Sequence, residues 1–134
     1  DLVCLGRTAS GERFDHGCFR QRIRLQDTAC RPLWREALCL AGEDEALSAL
    51  TGLADEAVFG TLWLAGGKPE LIAALREQAH PDCRVGLTAL PGLILARVVS
   101  HSAEAARHYF EAVWALARPA ILQREAVAPR IWRT

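Results

Sequence analysis

Phe19, Ile23 and Leu25 alternate with Arg20, Arg22 and Arg24, which sends apolar groups to one face of an extended segment and guanidinium groups to the other. This period of two predicts a half-buried strand. After a turn-like stretch from Asp27 to Arg31 the alternation resumes. Trp34, Glu36, Leu38 and Leu40 fall on one side, with Leu33, Arg35, Ala37 and Cys39 on the other. Two such runs around a short turn predict a hairpin. Upstream, Gly6, Gly11 and Gly17 surround Glu12, Phe14 and Asp15, a pattern of irregular chain with positions that need unusual backbone angles. The acidic, Ala/Leu-rich segment from Ala41 to Glu56 is ambiguous between a loop and a short helix.

From Val58 the period changes. Val58 to Ala65 is a compact apolar run closed by Gly66-Gly67, and Pro69 stands at a helix start with Leu71, Ile72 and Leu75 at helical spacing, predicting a helix over about 69–79. His80-Pro81-Asp82 ends it. Cys83 to Thr88 and Leu93 to Val99 then flank Pro91-Gly92, a second hairpin. Ser102 is a natural N-cap, Glu104 suits the positive end of a helix, and Ala106, Tyr109, Phe110, Val113 and Ala117 form one apolar face. Together they predict a helix over 103–117, with Pro119 stopping it near Arg118. The order strand, helix, strand, strand, helix is most of a split βαβ layout. The fold class expected is α+β, β-rich, with antiparallel hairpins and sheets and two α-helices.

Composition narrows the functions. In 134 residues, 51% are hydrophobic and 24% charged, a globular balance for one domain. Sixteen basic residues balance sixteen acidic ones, so the basic excess that nucleic acid usually needs is missing. The longest apolar runs, such as Leu90 to Ala96, fall far short of the ~20 residues that cross a bilayer, and no basic region precedes an apolar one at the start. The five cysteines are odd in number and lie mostly inside apolar stretches, where free cysteine behaves as a small hydrophobe; this usage fits a reducing cytoplasm. The chain opens on Asp and enters an apolar run at once, as a piece cut from something longer would.

Most catalytic signatures are missing: there is no phosphate-binding glycine loop, Gly-x-Ser-x-Gly elbow, His-Glu-x-x-His or Cys-x-x-Cys. His80 and Cys83 could offer two soft ligands at a turn, but no second pair stands at ligand spacing, and a helix-ending turn explains them. His101 and His108, seven apart, are a weak pair. Glu36 is the least comfortable residue, a carboxylate among Trp34, Leu38 and Leu40. Either it forms a structural ion pair with Arg97 or another buried arginine, or it lines a polar passage through the sheet that carries a cation. Arg20, Arg22 and Arg24 make a solvated face or meet an acidic partner. Ile131 and Trp132 are apolar residues in a tail, which predicts docking on this chain or on a partner.

Three separated stretches, Asp1-Leu2-Val3-Cys4-Leu5-Gly6-Arg7, Gly11 to Gly17 (Gly-Glu-Arg-Phe-Asp-His-Gly) and Pro129 to Thr134 (Pro-Arg-Ile-Trp-Arg-Thr), closely resemble the UreD (also UreH) family of urease accessory proteins. Pro32 to Leu38 resembles the family's Pro-Leu-x-x-Glu-x-Leu strand, Gly60-Thr61-Leu62 its Gly-Thr-Leu, and Trp114 to Pro119 its Trp-x-x-x-Arg-Pro helix end. The resemblance implies that 1–134 is the C-terminal half of a UreD-like domain. Residues 1–57 would be a β-hairpin region, and 58–134 the strand-helix-strand-strand-helix unit with a C-terminal tail. It also implies a cytoplasmic, non-enzymatic role in urease maturation, in a complex with UreF and the GTPase UreG that docks on apo-urease. Nickel would be a transported ion rather than a tightly held cofactor. A relay for such an ion needs sparse oxygen or nitrogen ligands more than a closed cage. Carried onto this sequence, the resemblance makes Glu36 the first passage candidate and Glu12, Asp15 and His16 the next, with loop capping as the rival role for those three. Arg130, Ile131 and Trp132 fall to packing or partner docking, as do Arg20, Arg22 and Arg24. The alternative is a non-catalytic protein-binding module with no direct metal role.

Overall fold

The computed structural model describes residues 1–133; the side chains of Ala9, Ile131 and Arg133, and all of Thr134, lie outside the described residues. In chain order the strands are β1 (Leu2–Cys4), β2 (Cys18–Gln26), β3 (Pro32–Ala41), β4 (Val58–Ala65), β5 (Cys83–Leu90) and β6 (Leu93–Ser100). The helices are α1 (Leu71–Arg76) and α2 (Ala103–Leu122), and short 3-10 turns cover Thr8–Ser10, Glu45–Leu47 and Arg130–Arg133.

The four apolar runs assemble into one antiparallel sheet in the order β1-β4-β6-β5, and the alternating runs into the separate β2-β3 hairpin. Both β4 and β5 run antiparallel to β6, which lies between them, so the β4-α1-β5 unit is a split βαβ with β6 filling the gap. Pro91 and Gly92 supply the two-residue β5-β6 turn, where Gly92 takes φ 74°, a left-handed value open to glycine. At the other hairpin, Asp27 accepts the backbone N–H groups of Ala29 and Arg31, both at 2.9 Å, and the Arg31 Nε–H at 2.7 Å. Those donors hold its carboxyl below the usual carboxylate range.

Three layers result. Ile94, Ala96 and Val98 on one face of β6 pack with Val58 and Leu64 of β4 against Ala106, Tyr109, Val113 and Ala117 of α2, joined by Ile72 and Leu75 of α1. On the opposite face Leu95 is fully buried and Thr61 nearly so. The hairpin's inward side meets that face. Phe19 sits edge-on to Phe59 at 5.9 Å, the Arg97 guanidinium lies 5.7 Å over the Trp34 ring, and Gln21 Nε2 donates to the Asp1 carboxylate at 2.6 Å.

Three expectations are corrected. Helix α1 spans Leu71–Arg76 rather than 69–79. Pro69 and Lys68 only offer carbonyls to the first turn, and Gln78 closes a turn back onto Leu75 ahead of His80-Pro81. Helix α2 runs through Pro119 to Leu122. The proline costs one N–H, which would have bonded the carbonyl of exposed Ala115. Ile121 still packs on the core beside Gly66, and Gln123, at φ 53°, donates its N–H back to the Pro119 carbonyl at 3.0 Å. The cysteines are not small core hydrophobes, since Cys4, Cys18, Cys30 and Cys39 are exposed and only Cys83 is half-buried. Cys18 and Cys39 share strand parity with the outward arginines, and Cys30 stands in the hairpin turn with φ 61°.

Ser102 caps α2 as expected, accepting the Ala105 N–H at 3.1 Å, and buried Ser100 donates to the Asp82 carbonyl at 2.7 Å. Tyr109 is less well served: its hydroxyl is buried without a hydrogen-bond partner among the described residues. Burial pushes its pKa up to about 12. An orphaned hydroxyl costs about 1–3 kcal/mol, so Tyr109→Phe should raise the melting temperature at neutral pH by about 3–15 °C in differential scanning calorimetry. The phenol is protonated in the fold up to about 12, whereas an unfolded tyrosine ionises near 10.0. Its contribution is therefore fully present below pH 10 and lost as the pH rises to about 12, a loss that Tyr109→Phe should not show.

Candidate functional site

A concavity lies beside the open end of the hairpin, where three segments meet: the loop 5–15, the turn 42–48 and the stretch 55–57. Its volume is about 750 Å³. Local chemistry shapes each wall. Arg7 donates from its backbone N–H and from Nε to Glu12 Oε2 at 3.1 and 3.0 Å, and a second guanidinium N–H reaches Oε1. The pair closes a small loop and holds the Glu12 carboxyl below its ordinary range. Asp44 caps the 3-10 turn by accepting the Ala46 N–H at 2.9 Å. Leu5 ties the first wall to the third through its N–H to the Ala57 carbonyl at 2.7 Å.

Close backbone contact seats the loop that bears Asp15. A Cβ on Gly42 would stand 2.3 Å from the Asp15 carbonyl carbon and 2.4 Å from the His16 nitrogen, so only glycine lets this loop lie on the end of β3. On the third wall Ala54 and Asp55 both hold left-handed angles, φ 52° and 63°, an arrangement fixed by the Ala54 N–H to Ala49 and the Asp55 N–H to Leu47. Consecutive non-glycine residues in this region store strain, and strain of this kind clusters at functional sites.

Seven carboxylates line the cleft, those of Glu12, Asp15, Glu43, Asp44, Glu45, Asp55 and Glu56, against the single guanidinium of Arg13. Glu12 is committed to Arg7, Glu56 lies 4.0 Å from His101, and Asp44 is a cap. Asp15, Glu43, Glu45 and Asp55 make no ion pair among the described residues. Among the described residues no three His, Cys, Asp or Glu side chains converge to hold a metal ion. Chemically the cleft is a diffuse, open surface with an excess of negative charge.

The sequence candidates divide accordingly. Glu12 and Asp15 line the cleft, whereas His16 is exposed and outside it. Glu36 lies elsewhere, half-buried in mid-hairpin opposite Ile23, where its Oε2 accepts the Trp34 indole N–H at 3.2 Å. The ion pair expected with Arg97 does not form, because the guanidinium stacks over the Trp34 ring instead. Arg20, Arg22 and Arg24 are exposed on the hairpin's outer face, with Arg24 directly opposite Arg35. Arg130 is exposed, the Ile131 side chain lies outside the described residues, and half-buried Trp132 packs edge-on to Trp114 of α2 at 4.9 Å. His80 Nδ1 accepts the Asp82 N–H at 3.3 Å, and burial pushes the Cys83 thiol up. Sequence reasoning missed Glu43, Asp44, Glu45, Asp55 and Glu56. Their signal was the concentration of acid in 41–56, which reads as solvated loop until the first loop is folded over it.

Comparison with known proteins agrees on one family. The model described as UreD urease accessory protein matches residues 1–133. The urease accessory protein UreD of Pseudomonas fluorescens is 44% identical over the whole chain, which covers 48% of that protein. The UreD of Nitrosococcus oceani is 43% identical over the whole chain and 45% of its own length, and that of Methylobacillus flagellatus 38% and 48%. The chain thus spans about half the length of the curated relatives it matches, and it belongs to the UreD family of urease accessory proteins.

Proposed function

We propose that this chain serves urease maturation in the cytoplasm by helping nickel reach apo-urease, in a complex with UreF and the GTPase UreG, and makes no bonds itself. Nickel is the cargo in this reading, and the acidic cleft is the mouth of its path. The observation that carries it is an open cavity of about 750 Å³ in which Asp15, Glu43, Glu45 and Asp55 present carboxylates free of ion pairs among the described residues. Oxygen ligands on separate segments replace part of an ion's hydration shell while leaving it free to leave, as conduction requires. Glu36, half-buried under Trp34, supplies a further acidic station in the second layer of the fold.

A second reading rests on a different observation. Arg20, Arg22, Arg24 and Arg35 share one exposed face, and the direct Arg24–Arg35 juxtaposition costs stability unless an anionic surface covers it. This favours a protein-binding module whose partner presents acidic residues there. The two readings share a molecule and separate by variant.

Nickel content per urease active site, measured by elemental analysis after maturation with the complete accessory complex, tests the first. The combined change Asp15→Asn, Glu43→Gln and Asp55→Asn should lower nickel loading several-fold while the complex still elutes intact. Glu36→Ala should lower it with the same intact complex. Unchanged nickel content in both would remove the cleft and Glu36 from the path. Arg22→Glu with Arg24→Glu should instead weaken assembly, and loss of assembly with full loading in the cleft variants would favour the binding module.

A further inference from the structure

The outer face of the hairpin carries two thiols in contact. Cys18 is paired across the ladder with Ala41 and Cys39 with Arg20, so the cysteines are diagonal neighbours on one face. The twist of a two-stranded ribbon draws them together, and their Sγ atoms lie 3.4 Å apart. Both are exposed, and no element covers them among the described residues. Arg20 stands directly opposite Cys39 and on the same face as Cys18, near enough for its charge to act on both sulfurs.

Two chemistries suit adjacent thiols: soft-metal chelation and thiol–disulfide exchange. The surroundings decide between them. A guanidinium beside the sulfurs repels a dication, and among the described residues no third donor of the usual types completes a metal site. The same guanidinium stabilises a thiolate. The Cys18 thiol and then Arg20 hold the Cys39 thiol below its ordinary range, against desolvation and the Asp44 carboxylate, which push it up.

We propose that Cys18 and Cys39 form a reversible dithiol–disulfide pair, with Cys39 as the attacking sulfur and Cys18 as the resolving one. The oxidant is a low-molecular-weight disulfide. The Cys39 thiolate attacks one of its sulfurs, forming a mixed disulfide and expelling one thiolate. Cys18 then gives its proton to solvent and attacks Cys39 Sγ, forming the protein disulfide and expelling the second thiolate. Two protein thiols are oxidised and one small disulfide is reduced to two thiols. The bond would staple the hairpin end where Gly17 and Gly42 meet, which carries the Asp15 wall of the cleft.

Incubating the full chain with oxidised glutathione, trapping free thiols by alkylation and mapping the peptides by mass reads the pair directly. The unchanged chain should yield one intramolecular disulfide, between Cys18 and Cys39, reversed by reduced glutathione. Cys18→Ser should halt at a glutathione adduct on Cys39. Cys39→Ser should form no internal bond and react several-fold more slowly, and Arg20→Gln should slow the first step several-fold while keeping the same pairing. Because all three positions are exposed, these changes leave the core alone, as matching circular dichroism would verify. The proposal is overturned if Cys18 and Cys39 remain free while Cys4 and Cys30 are modified. A bond from either to another cysteine, or preferential capture of glutathione by Cys18, would overturn it equally.

Discussion

Burial of β6 on both faces is the constraint from which the other placements follow. A strand with Leu93, Ile94, Leu95, Ala96 and Val98 removed from water needs partners along both edges and a cover above and below. The edges go to β4 and β5, one face to α2 and α1, and the other to the β2-β3 hairpin. Each buried Leu or Ile contributes about 1.5–3 kcal/mol, so the hairpin's seat on this face matters to stability even though, Leu40 apart, its inward side chains are only half-buried. Polar groups in the contact layer are answered only in part: Glu36 takes the Trp34 indole N–H and Arg97 stacks on the same ring, while the buried Trp63 indole N–H has no partner among the described residues.

Seating the hairpin also creates the cleft. Its open end brings residues 15–17 over Gly42, and the loop that follows β3 carries acid into the space between them. Crowding seven carboxylates costs electrostatic energy, which solvent exposure and salt screening keep small. The arrangement persists through backbone ties, the Asp44 cap and the Arg7–Glu12 clasp rather than through burial. Such a surface favours passing encounters with cations over capture. The arginines and paired thiols face solvent on the hairpin's outer face, so basic and acidic surfaces meet near its open end, where Asp44 of the cleft acts on Cys39.

Much of the architecture was legible because it obeys simple periods. Alternation marked β2 and β3, unbroken apolar runs marked β4 and β6, and the Ser102 cap with its apolar stripe marked α2. The helix ends were less legible, since Pro119 stops a helix by local rules while Ile121 gains enough packing to carry α2 another turn. The cleft was half legible: Glu12 and Asp15 came from motif resemblance, but Glu43, Asp44, Glu45, Asp55 and Glu56 join them only through tertiary contact at a glycine. Glu36 was correctly marked as an acid on an apolar face, yet its partner was wrong, because a tryptophan two residues away competes with any distant arginine. The Cys18–Cys39 contact needed the hairpin register, which pattern alone leaves open by a residue.

If nickel is the cargo, it visits the acidic cleft and moves on. Paramagnetic Ni²⁺ added at substoichiometric amounts to the isotopically labelled full chain tests it by nuclear magnetic resonance. Amide signals from residues 12–15, 43–45 and 55–57 should broaden first, recover on adding a chelator, and resist broadening once Asp15 and Asp55 are changed to Asn. Broadening centred on His101 and His108, or signals untouched throughout, would contradict the account.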